Sequence, residues 1–130
     1  MSEIKPKTIR EWQTEIHSIA TEKGWWDGCT RDADGRVLLN VDAVLARISL
    51  IHSELSEAVE EARCMPQEPP DFREIAFDCG KPVGFATEIA DAVIRILDLC
   101  GALGIDLEQE VDTKHSYNRT RPRRHGGKLA

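Results

Sequence analysis

Glu54, Glu57 and Glu61 stand three and four residues apart, and Glu88, Asp91, Arg95 and Asp98 follow one another at +3, +4 and +3. On a helix, at about 100° per residue, the second set falls on a single stripe about 80° wide. Carboxylates stacked on one stripe repel each other, and among apolar neighbours they are costly without a cation to pair them. Two helices that each present an acid pair three residues apart can converge four carboxylates on one point. Hard cations such as Mg²⁺ take oxygen ligands of this kind.

Acids at i and i+3 more often lie on a solvated helix face, and Glu54 and Glu57 alone would not distinguish the two readings. The segment around Glu88 does. It is apolar around most of its circumference (Ile89, Ala90, Val93, Ile94, Ile96, Leu97, Leu99, Cys100), and Glu88 and Asp91 interrupt it. Arg95 can neutralise one acid of the stripe but not all three. A carboxylate-bridged di-iron centre would call for Glu-x-x-His on two helices. The chain has Glu-x-x-Glu at 54–57, Glu-x-x-Asp at 88–91 and only Asp112-x-x-His115 as an acid–His pair. All-oxygen ligation favours Mg²⁺, with Mn²⁺ as a substitute.

Positioning these groups takes helices. The spacing predicts a first helix from about Thr8 to Lys23, opened by a Thr8/Glu11 capping box and stopped by Gly24. Residues 25–40, with Asp-Gly twice, read as a loop. A second helix is expected from an N-cap at Asp42 to about Cys64, with Leu45, Ile48, Ile51, Leu55, Val59 and Ala62 as its apolar face. Pro66, Pro69 and Pro70 end it, and residues 65–83 form a long connection with a short helical turn around Phe72–Phe77. A third helix spans about Gly84 to Leu103, stopped by Gly104, and a fourth runs from Asp106 to Asn118 or Arg119. No strand alternation competes with this. The expected fold is all-α, four-helix bundle-like, with the second and third helices at its centre.

The 130 residues suit one domain, 1–130, with about 119–130 as a basic, flexible tail. The net charge of −6 is unevenly spread. Residues 1–112 hold 11 Lys/Arg against 23 Asp/Glu, and residues 113–130 hold six Lys/Arg and no acid. An acidic body with a basic end can meet a phosphate ester carried by a metal ion from both sides. No membrane-length apolar run and no signal-peptide pattern are present, so a cytoplasmic protein without membrane contact is expected. Four scattered cysteines (29, 64, 79, 100) without a CxxC pair imply neither a disulfide framework nor zinc. Trp25 and Trp26 read as core plugs after the first helix, and His17 and His52 lack ligand spacing.

Glu54-Leu-Ser-Glu57, a long connection, Glu88-Ile-Ala-Asp91 in an apolar helix and the ending Lys114-His-Ser-Tyr-Asn118-Arg-Thr-Arg121 together resemble the MazG-like nucleotide pyrophosphohydrolases. The resemblance runs from the second helix to the C-terminus. It implies the all-α NTP pyrophosphatase fold, assembly as a homodimer or homotetramer, and cleavage of (d)NTP to (d)NMP and pyrophosphate for sanitising or regulating nucleotide pools. By motif, Glu54, Glu57, Glu88 and Asp91 would be the Mg²⁺ ligands. Lys114 and Asn118 would stand where the family contacts nucleotide or phosphate. The family often carries a further Glu just before the first ligand. Ser53 stands there in this chain, which leaves Glu60 or Glu61 as the nearest replacement.

In such a site, roughly two or three Mg²⁺ would bridge the triphosphate oxygens and acidify a bound water. A helix-two carboxylate (Glu54, Glu57 or Glu61) would take its proton, and Lys114, Arg119 and Arg121 would offset charge on the leaving pyrophosphate. Lys114 and Asn118, four apart, should face the acids together. The rival class is a non-catalytic helical module for oligomerisation or for binding nucleic acid through the basic tail. It leaves Glu88 and Asp91 unexplained, and the acidic body would repel a polyanion, so a nucleic-acid partner is not expected.

Overall fold

Thr8 opens the first helix through the reciprocal hydrogen bonds its spacing predicts. Its hydroxyl accepts from the Glu11 amide and the Glu11 carboxylate accepts from the Thr8 amide, both at 3.1 Å. In the computed structural model, which describes residues 3–66 and 68–123, α1 spans Ile9–Glu22, α2 Val41–Arg63, α3 Phe85–Leu103 and α4 Leu107–Thr120. The residues of the basic end from 124 onward, Gly126-Gly127 among them, lie outside this description.

Two local expectations are corrected. The cap of α2 is Asn40, whose side chain accepts from the Ala43 amide at 2.8 Å, and Asp42 falls inside the first turn. The connection between α2 and α3 carries a β-hairpin where a helical turn was expected, with β1 (Ala76–Asp78) antiparallel to β2 (Lys81–Val83). Its turn residues Cys79 and Gly80 both have positive φ, 51° and 82°, as tight two-residue hairpins require. Strands of three residues are too short for alternation to declare itself in sequence.

α2 and α3 form the principal helix pair, α1 packs on α3, and α4 packs on α1. The helices are thus laid side by side, and α4 does not close a bundle over α2. α1 approaches α3 closely because Gly101 has no side chain there: a Cβ would come within 2.7 Å of the His17 Cβ. The buried cluster lies at this end of the molecule, where Trp26, Val37 and Ala102 pack with Ala20, Cys29, Leu39 and Leu99, and the Val37 amide donates to the Ala102 carbonyl at 2.7 Å. Trp26 is the core plug anticipated, whereas Trp25 is exposed. No helix among the described residues is long and apolar enough to cross a membrane.

Asp98 leaves the acidic stripe for a structural task. Its Oδ1 accepts from Trp26 Nε1 at 2.9 Å and lies 2.7 Å from His17 Nδ1, joining α1, the following loop and α3. His17 Nε2 lies 3.3 Å from an Arg31 guanidinium nitrogen, so the ring accepts there and donates to Asp98. Asp98→Ala should therefore cost about 2–4 kcal/mol, because two part-buried donors lose their acceptor. Urea unfolding measures this, and a loss under about 0.5 kcal/mol, the scatter of ordinary surface changes, would refute the assignment.

Candidate metal centre

Glu54 and Glu57 are one turn apart on α2, and Glu88 lies in the first turn of α3. Pairing of the two helices brings one carboxylate oxygen from each within 4.8 Å of the others. Glu54 and Glu88 are half-buried and Glu57 is exposed. Glu54 Oε1 accepts from Arg95 Nε at 2.8 Å, an ion pair between α2 and α3. Arg95 thus pairs with an acid of α2 and not, as its place on the stripe suggested, with one of the three acids on its own helix.

The electrostatics single out Glu88. Its Oε2 is buried without a hydrogen-bond partner among the described residues. Burial, then contact with Glu57 and Glu54, raises its pKa to about 7. The Arg95 guanidinium, by contrast, holds Glu54 below the usual carboxylate range. Below about pH 7 a proton is therefore favoured on Glu88, which burial and its carboxylate neighbours keep from ionising. Asp91, one turn further along α3, is half-buried and also raised, first by burial and then by the charge of Glu54. It stands beside the three closest acids, outside the 4.8 Å group.

The donor set suits a hard divalent cation. The candidate donors are oxygen only, come from two facing helices, and include one buried oxygen with no donor among the described residues. A cation there would stabilise the ionised form that burial penalises in Glu88.

The remaining predicted residues are not gathered there. Glu61 is exposed and outside the group, and Glu60 pairs with Arg63 at 3.4 Å. Lys114, Asn118 and Arg119 are exposed on α4, and Arg121 caps its end. Among the described residues neither Lys114 nor Asn118 forms a hydrogen bond or ion pair with an acid of the cluster. α4 leaves the C-terminal end of α3, its Asp106 and Glu108 pair with Arg10 of α1, and Glu88 lies at the opposite end of α3. Fifteen residues of helix separate Glu88 from Leu103, about 22 Å of rise. Instead, the ammonium of Lys114 lies 5.0 Å from the Tyr117 ring centroid, and the Arg121 guanidinium carbon lies 5.7 Å from it.

A groove of about 440 Å³ runs between α1, α2 and α3. Trp12, Ile16, Trp25, Leu50 and Ile94 line it, and Arg95 joins it to the acidic cluster. Nothing in the spacing of Trp12 and Trp25 announced a shared wall, because they belong to different elements. No family model, curated protein or solved structure matches the chain.

Proposed function

We propose that this chain is a Mg²⁺-dependent nucleoside triphosphate pyrophosphohydrolase, cleaving (d)NTP to (d)NMP and pyrophosphate in the cytoplasmic nucleotide pool. The observation that carries the reading is the meeting of Glu54, Glu57 and Glu88 across two helices, with the buried Glu88 oxygen lacking a partner among the described residues. Glu54, Glu57, Glu88 and Asp91 would hold the ion. Mg²⁺, or Mn²⁺ in its place, supplies charge for the phosphate oxygens and lowers the pKa of a water.

The chain's own groups account for the rest. Arg95 fixes the orientation of Glu54 through its 2.8 Å bond and keeps that carboxylate ionised. Glu57, the exposed member of the three, is the group able to take a proton from an attacking water. The groove beyond Arg95 offers apolar and aromatic surface for the nucleoside half of the substrate. The assay is pyrophosphate release from a panel of NTPs and dNTPs with and without Mg²⁺. No release from any member of the panel would end the reading.

The functional form is a homodimer or homotetramer. Leu45, Ile48, Leu55 and Val59 of α2, with Ile89, Val93 and Ile96 of α3, are exposed in the single chain, and apolar area on this scale is ordinarily covered. A second copy over these faces would also offer the α4 cations a route to a neighbouring acidic site. Sedimentation at micromolar concentration should give a dimer or tetramer, and an active monomer would contradict this assembly.

A further inference from the structure

We propose that Lys81 is a phosphate-binding residue of the acidic site, presented to it by the β-hairpin that precedes α3. The proposal rests on the nucleotide-binding reading of that site, and names a cation that neither spacing nor resemblance singled out.

The hairpin and the connection leading into it are held to the start of α3. β2 packs on α3, the Thr87 hydroxyl donates to the Val83 carbonyl at 3.4 Å, and the Phe72 and Phe85 rings lie 4.9 Å apart. Glu88 follows Val83 by five residues, so the anchor and the acidic cluster share one end of α3. The pairing is Ala76 with Val83, Phe77 with Pro82 and Asp78 with Lys81. Alternate residues of a strand share a face. Ala76 and Val83 are half-buried while Phe77 and Pro82 are exposed, so the first pair marks the face turned to the protein. Lys81, two residues before Val83, leaves β2 on that same face.

Charge agrees with this placement. Positive charge on Arg95 and on Lys81 favours the ionised form of Asp91 against the burial that opposes it. Arg95 is committed to Glu54. Lys81 is exposed and enters none of the ion pairs among the described residues. An ammonium on a flexible stem beside a carboxylate cluster can meet phosphate oxygens as a point charge, while the carboxylates hold the metal.

The test is calorimetric titration of the full chain with inorganic tripolyphosphate in the presence of Mg²⁺, and with Mg²⁺ alone. Lys81→Ala should weaken tripolyphosphate binding about tenfold, and Lys81→Arg should hold it within about threefold, the scale of one charge-assisted contact. The thermal midpoint should be unchanged, since Lys81 is exposed, and Mg²⁺ binding alone should not weaken, because removing a cation beside the carboxylates takes no attraction from the metal. Equal tripolyphosphate affinities for wild type and Lys81→Ala would overturn the proposal, as would a wild type that does not bind tripolyphosphate. Pyrophosphate release is read separately. Lys81-dependent binding without NTP cleavage supports Lys81 and removes the hydrolase reading. NTP cleavage with Lys81-independent binding removes Lys81 and leaves the hydrolase.

Discussion

Glu88→Gln is expected to abolish Mg²⁺-dependent pyrophosphate release, by at least about 10³-fold, while making the metal-free protein more stable. The two effects have one cause. Glu88 carries a buried oxygen with no donor, pressed against Glu54 and Glu57. An amide of the same shape removes that like-charge contact and can donate to either neighbour, but it contributes no negative charge to a metal. At pH 8 the gain in metal-free stability should be on the order of 1 kcal/mol, well below the full value of the displaced pKa because water screens part of the cluster. The Glu61→Gln change should alter activity less than about threefold, the range of a surface residue beyond ligand distance. Activity and urea midpoint measured on the same preparations decide between roles. A Glu88→Gln protein that loses stability as well as activity would make Glu88 a structural residue, and one that keeps activity would end the metal assignment.

Mg²⁺ affinity should rise with pH, by up to about tenfold per unit below pH 7, and level off above it. The sign follows from Glu88, which titrates near 4.5 in the unfolded chain and at about 7 in the fold. Between those values the native cluster holds a proton that the ion must displace. Metal-free stability runs the other way: it falls as pH rises through that window, because folding keeps Glu88 protonated where the unfolded chain would ionise. Glu54, held low by Arg95, is ionised throughout the window and adds no proton to the exchange. Calorimetry in two buffers of different ionisation enthalpy counts the protons released. Close to one per bound ion is expected below pH 7 and none above pH 8. Proton release that does not change across this range would mean Glu88 is not a ligand.

The amino-acid sequence by itself determined the angular position of each acid on its own helix. A period of 3.6 residues leaves Glu54 and Glu57, or Glu88 and Asp91, no choice but to share a stripe. The capping box at Thr8, the stops at Gly24 and Gly104 and the long interruption after Cys64 are equally local, and they appear where the residues require them. How two stripes face one another is not a local property. Asp98 lies on the same stripe as Glu88 and Asp91, yet it serves Trp26 and His17, because α1 crosses α3 at the small Gly101 and covers that end of the helix. Arg95, between them, turns to Glu54 only because α2 lies alongside. Lys114 and Asn118 do share an α4 face, but the direction of that face depends on the Ile105–Asp106 corner and on the ion pairs of Arg10 with Asp106 and Glu108, contacts nearly a hundred residues apart in the chain. Lys81 was hidden for a related reason. A three-residue strand has too little period to read, and its side acquires meaning only once Val83 is set against α3. Helical periodicity is written into neighbouring residues, whereas the convergence of Glu54, Glu57 and Glu88 depends on packing between residues more than thirty apart, which only the tertiary structure decides.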